Sequence, residues 1–114
     1  MSRKDSFPLK PAVFYILLAL AEKERYGYAI IQTVRERSAG RVPLRTGSFY
    51  RHLARLMDEG LVVEASARRH GDDPRRGAYY RLTMRGREVL AAEERRLTDL
   101  LSALHALRPR RAAP

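Results

Sequence analysis

From Ala12 to Ala21 the chain is apolar almost without interruption, with Val13, Phe14, Ile16, Leu17, Leu18 and Leu20 following Pro11. Proline suits the first position of a helix. A helix that is apolar nearly all round must be covered on more than one side, by a central position in the fold or by a second subunit. A charged turn at residues 22–25 follows. Tyr26-Gly27-Tyr28 then opens a second helix that runs to about Arg37, with Tyr28, Ile31 and Val34 on one stripe and Ile30 beside them. Ser38-Ala39-Gly40 closes it, and residues 41–44, with Pro43, connect it to the next element. Residues 45–61 form the most clearly amphipathic stretch, in which Phe49, Leu53, Leu56 and Met57 recur at helical spacing. Thr46 is expected to cap this helix and Gly60 to stop it. Two short helices followed by an amphipathic one is the order of a helix-turn-helix unit, with the third helix in the recognition position.

Beyond Gly60 the period changes from helical to two. Leu61, Val63, Ala65 and Ala67 alternate with Val62, Glu64 and Ser66, the pattern of a half-buried strand. Gly71, Pro74 and Gly77 interrupt residues 68–77. Alternation resumes from Ala78 to Thr83, with Tyr80 and Leu82 on one face and Tyr79 and Arg81 on the other. Two strands joined by a long tip make a hairpin, and a hairpin placed directly after a recognition helix is a wing. Thr83 is expected to cap a last helix from Met84 to about Leu107, about 35 Å long at 1.5 Å per residue. Leu90, Leu97, Leu100, Leu104 and Leu107 keep three- and four-residue steps along it, with Glu93 as the polar exception. The helix is longer than a small winged-helix core can cover, so its leucines call for a second copy of the chain. The competing arrangement is a stripe that packs back on the first helix.

The predicted fold is therefore mainly α with a small β-hairpin, a winged helix-turn-helix plus a C-terminal dimerisation helix. It divides into a flexible arm at residues 1–8, a DNA-binding domain at 9–83, a dimerisation helix at 84–107 and a disordered tail at 108–114. Charge gives this fold a direction. Lys and Arg number 23 against 13 Asp and Glu, a formal net charge of +10, which favours nucleic acid or an anionic membrane as partner. Ser48, Arg51, His52 and Arg55 form a polar stripe on the third helix, with Tyr50 on its flank. Such donors reach phosphates and base edges when a helix lies in the major groove. The hairpin tip carries Arg68, Arg69, Arg75 and Arg76, together with His70, against Asp72 and Asp73. Its sign matches that of the helix stripe, which favours DNA over a merely solvated loop.

Catalytic chemistry finds no support. His52, His70 and His105 are dispersed, cysteine is absent, and no glycine-rich phosphate loop or serine-centred elbow occurs. No metal site and no cofactor are expected. No signal-peptide pattern is present and ten apolar residues fall short of the about 20 that cross a bilayer, so a cytoplasmic protein without membrane association is the expectation.

The segment from Thr46 to Leu56, then Glu59-Gly60-Leu61, then Pro74-Arg75-Arg76 leading to Tyr79-Tyr80-Arg81-Leu82-Thr83 and Gly86, resembles the PadR family of bacterial transcriptional regulators. Tyr26-Gly27-Tyr28 fits the start of that family's second helix. The resemblance covers about residues 9–107, and the single C-terminal helix matches the short subgroup; Phe49 stands where leucine is more usual. It implies a homodimer that binds a palindromic operator in double-stranded DNA and represses. It also implies that Ser48 and Tyr50 lie at the DNA surface and that the wing arginines approach the minor groove or phosphates. Some members respond to aromatic effectors near the dimer interface. The DNA-binding set is thus Thr46, Ser48, Tyr50, Arg51, His52 and Arg55 from the helix, with Arg68, Arg69, Arg75, Arg76 and Tyr79 from the hairpin. Phe14, Tyr15 and Leu18 are the candidate lining of an effector crevice. The reading from another class is an architectural or protein-interaction module with non-specific DNA affinity.

Overall fold

Pro11 opens the first helix, and the computed structural model, which describes residues 8–65 and 77–109, carries that helix (α1) over Pro11–Glu22. A two-residue strand follows (β1, Arg25–Tyr26), then α2 (Gly27–Arg37), α3 (Thr46–Asp58), β2 (Val62–Ala65), β3 (Tyr79–Leu82) and α4 (Met84–Ala106). The strands form an antiparallel sheet in the order β1-β3-β2. Ile16, Leu17 and Leu20 of α1 meet Ile30 and Val34 of α2, Phe49, Leu53 and Leu56 of α3, and Val62, Tyr80 and Leu82 of the sheet in one core. Residues 1–7 of the predicted arm, 66–76 with the wing tip, and 110–114 of the predicted tail lie outside the described residues.

Three local expectations are corrected. The spacing predicts Tyr28 on one apolar stripe with Ile31 and Val34, but Tyr28 is 68% exposed, and the buried stripe of α2 runs through Gly27, Ile30, Thr33 and Val34. The helix is rotated so that its glycine, not its tyrosine, meets α3. Thr46 is not the N-cap of α3. Leu44 is anchored in the core, Arg45 is extended and takes the capping position, and Thr46 is already helical. The strand after Gly60 keeps the expected alternation at half-buried Val63, exposed Glu64 and half-buried Ala65, but departs from it at Val62, which is buried. Leu61 fills the core from the turn, Val62 points inward opposite Leu82, and Val63 is only half-buried opposite Arg81. In addition, Arg25 and Tyr26, expected within and just after a charged turn, pair with Tyr80 and Tyr79 to add the third strand. Arg25 also donates from Nε to the Ala19 carbonyl at 2.9 Å and pairs with Glu22 at 2.6 Å, which ties the sheet edge to α1.

The stop signal of α3 and the cap of α4 act where the sequence predicts them. Gly60, with φ of 77°, turns the chain out of α3 in a conformation that disfavours other residues. Thr83 Oγ1 accepts from the Gly86 amide at 2.9 Å and donates to the Gly60 carbonyl at 2.7 Å, so one hydroxyl caps α4 and fastens it to the end of α3.

The first half of α4 packs against the core through Gly86, Val89, Leu90 and Glu93. Glu93 is 2% exposed. Its carboxylate accepts from Arg96 Nε at 2.8 Å, from Arg96 Nη2 at 2.7 Å and from the Leu9 amide at 3.3 Å. A buried acid becomes tolerable when its oxygens are paired in this way, and the same bonds tie the entry of α1 to α4. The Arg96 hydrogen bonds hold the Glu93 carboxyl below the ordinary carboxylate value of 4.5, against the opposing effect of burial. A lowered folded-state pKa stabilises the fold fully above the unfolded value, and the contribution is lost as pH falls through the folded one. Glu93→Gln is therefore expected to lower stability by about 1–2 kcal/mol at pH 7, from the loss of charge-assisted bonds. Urea denaturation should show the difference shrinking below pH 4. A gap that stayed constant down to pH 3 would mean that packing, not the carboxylate charge, makes the contribution.

Candidate nucleic-acid interface

Burial divides α3 sharply. Phe49, Leu53 and Leu56 enter the core, which turns Gly47, Arg51, Ala54, Arg55 and Asp58 outward. Arg51 therefore stands between two positions with little or no side chain, four residues after Gly47 and three before Ala54. Its Nη1 lies 3.8 Å from where a Cβ on Gly47 would be, so the guanidinium reaches back toward the start of the helix. A helix with this face can bring its backbone close to a groove floor while an arginine fork extends along it. Arg55 is also on the outer face, its side chain 74% exposed and 3.6 Å from Glu59. A pair this long, with the arginine largely in solvent, contributes little to stability.

The remaining expected helix residues lie at the edges of this face. Ser48 is half-buried and donates from its hydroxyl to the Arg45 carbonyl at 3.1 Å, while Thr46 is exposed in the first turn. His52 is half-buried on the side toward α1. Burial first, then the charges of Lys10, Arg51 and Arg55, hold its imidazole below 6.5. These causes disfavour the charged ring and favour the neutral imidazole, which has one donor and one acceptor. Tyr50, 46% exposed, packs its ring edge-on against Phe49 at 4.7 Å on the opposite flank, toward α2.

Of the hairpin set, Tyr79 is described: it is half-buried and packs edge-on against Tyr26 at 4.8 Å, opposite β1. Arg68, Arg69, Arg75 and Arg76 lie outside the described residues. One surface feature was missed from sequence. Exposed Tyr28, at the start of α2, accepts from Gln32 Nε2 at 2.8 Å, which leaves its own phenol proton free to donate outward. An aromatic at helical spacing from apolar residues reads as core, and only the packing of Gly27 shows otherwise.

A second, apolar feature lies on α4. Leu97, Leu100, Leu101 and Leu104 along the second half of α4, with Leu107 at its C-cap, are between 39% and 79% exposed. Leu90, expected in the same set, is half-buried against the core of its own chain. A groove of about 520 Å³ between α1 and α4 is lined by Phe14, Leu18, Leu90, Leu97 and Leu101, with Arg87, Glu94 and Thr98 as its polar members. Tyr15 does not line it but packs edge-on against Phe14 at 5.6 Å. Among the described residues no group of His, Asp or Glu could hold a metal ion, and no helix is long and apolar enough to cross a membrane.

Comparison with known proteins agrees with this architecture. Residues 16–92 match the model of the transcriptional regulator PadR-like family. A PadR family transcription regulator from Clostridium difficile R20291 superposes with a TM-score of 0.70 at 24% identity, over 85% of this chain and 97% of its own. A PadR-like transcription factor from Bacteroides fragilis gives 0.67 at 25% identity, over 84% and 88%. RosR of H. salinarum gives 0.62 at 25% identity, over 90% and 100%. No curated protein matches the chain significantly.

Proposed function

We propose, from the premise that this chain belongs to the PadR-like family of transcriptional regulators and is not an enzyme, that it is a homodimeric repressor of a palindromic operator. In this reading α3 enters the major groove, and the hairpin arginines Arg68, Arg69, Arg75 and Arg76 take flanking phosphates or the minor groove. The observation that carries the reading is the outward face of α3. Arg51 is exposed between Gly47 and Ala54, Arg55 follows one turn later, and acidic charge begins only at Asp58 and Glu59. Ser48, Tyr50 and His52 on the flanks supply directional hydrogen bonds beside it. Directional donors next to an arginine fork suit base readout better than a diffuse cationic surface does. Two such helices related by a dimer axis would meet two half-sites about one helical turn apart.

The exposed leucines of α4 supply the dimer axis, each copy covering the other's stripe. The groove beside them is the site at which a small aromatic effector would act, held by Phe14 and Leu18 and reporting to the dimer through Leu97 and Leu101. Arg51→Ala is expected to weaken operator binding by ten- to a hundredfold, the range for one lost bidentate base contact, while leaving the mass of the assembly unchanged. Fluorescence anisotropy on a duplex selected by the parent protein from random sequences measures this. Unchanged affinity would remove α3 from the interface.

A further inference from the structure

Gly27 opens α2 and its φ lies outside the left-handed region, so the backbone does not call for glycine there. Glycine is also a poor helix former. Its presence needs another cause, and the packing supplies one. A Cβ at Gly27 would stand 2.8 Å from Tyr50 Oη, 3.5 Å from Tyr50 Cζ and 3.3 Å from Phe49 Cε2. The missing side chain is thus the seat in which the Tyr50 phenol rests.

Resting on the proposed α3 interface, we infer that Gly27 is a positioning residue for DNA recognition: by leaving this seat empty it fixes where Tyr50 presents its hydroxyl. Tyr50 is held from two sides. Phe49, fully buried, packs edge-on against its ring, with centroids 4.7 Å apart at 70°, and the start of α2 closes on its hydroxyl end. The ring nevertheless remains 46% exposed. A side chain that is both clamped and open to solvent is preorganised for a partner, because little rotamer freedom is left to lose on binding. Any side chain at position 27 must either push the phenol outward or pry α2 from α3. Phe49 cannot yield easily, being in the centre of the core, so the displacement falls on Tyr50.

The test is a double-mutant cycle read by anisotropy on the labelled duplex that the parent protein selects from a random library. Gly27→Ala is expected to weaken binding about tenfold. In the Tyr50→Ala background, where the seat is vacated, the same change should have an effect of less than twofold. Tyr50→Phe removes the atom 2.8 Å away and leaves the next ring atom at ordinary contact distance, so Gly27→Ala should again be nearly silent in that background. Circular dichroism and the mass of the assembly, unchanged across the set, show that the variants fold, and the Tyr50→Phe pair keeps the test valid if the single Gly27 variant does not. A tenfold loss that persists in the Tyr50→Ala and Tyr50→Phe backgrounds overturns the positioning role, as does a Gly27→Ala protein that binds like the parent. If Tyr50→Ala and Arg51→Ala both bind like the parent, the α3 interface itself fails. If those two weaken binding and Gly27→Ala does not, only the present inference fails.

Discussion

Leu97→Glu combined with Leu104→Glu is expected to yield a folded monomer of 13.1 kDa in place of an assembly of twice that mass. Both positions are exposed, at 39% and 61%, and neither belongs to the core of the single chain, so the substitutions leave the fold of each copy intact. They fall on the face that the proposed dimer covers. A leucine side chain contributes about 1.5–3 kcal/mol when fully removed from water, and Leu97, Leu100, Leu101, Leu104 and Leu107 occur twice in a symmetric pair. Replacing two of them in each copy loses that contribution and places four carboxylates in the same apolar seam, where each unpaired charge costs several kcal/mol. Operator affinity should fall with the assembly. Two linked half-site contacts bind about 10²–10⁴-fold more tightly than one, so the monomer should retain only weak, salt-sensitive binding. Sedimentation equilibrium gives the mass directly. A pair that survives the double change would move the interface away from the second half of α4.

Gly86→Ala is expected to lower stability by about 3 kcal/mol, at the upper end of what overpacking costs. A Cβ there would lie 2.3 Å from the Leu61 carbonyl oxygen and 2.5 Å from Leu82 Cδ1. The carbonyl cannot retreat, because it accepts from the Thr83 amide at 3.0 Å while the Leu61 amide donates to the Leu56 carbonyl at 2.9 Å. Relief would require α4 to lift off the sheet, at the point where Thr83 caps it. Since a domain of this size has about 5–15 kcal/mol in total, the loss is a large fraction, visible as a lower urea midpoint with unchanged slope. A variant within 0.5 kcal/mol of the parent, a threshold set by the usual scatter of surface substitutions, would mean that α4 docks more loosely than this contact requires.

Much of this architecture could be read from local signals. Pro11, Gly60 and Thr83 act at their own positions, and the spacing of Phe49, Leu53 and Leu56 identifies the buried face of α3 without reference to the rest of the chain. What escaped reading depends on distant partners. Arg25 and Tyr26 are a strand only because Tyr79 and Tyr80, more than fifty residues on, pair with them. Gly27 and Gly86 are core positions whose importance lies in an absent side chain, which hydrophobic periodicity cannot register, and the same packing of Gly27 leaves Tyr28 exposed. Glu93 interrupts a leucine stripe in the sequence, yet it is among the most buried residues because the Leu9 amide and Arg96 complete its bonds. In the candidate interface, charge and spacing alone point to Arg51 and Arg55 as outward-facing residues of α3. The seating of Tyr50, the lowered pKa of His52 and the half-burial of Ser48 required the surrounding elements.

Selection of bound duplexes from a random-sequence library by the intact protein, followed by sequencing, tests the central claim most directly. A dimer that reads bases through α3 predicts enrichment of two inverted half-sites at a fixed spacing near one helical turn, occupied by two chains per duplex. The enriched duplex should be preferred over scrambled sequence by about a thousandfold or more at physiological salt. A pool that remains random after repeated rounds, with binding that disappears uniformly as salt rises, would contradict the account and leave an electrostatic, sequence-indifferent role in its place.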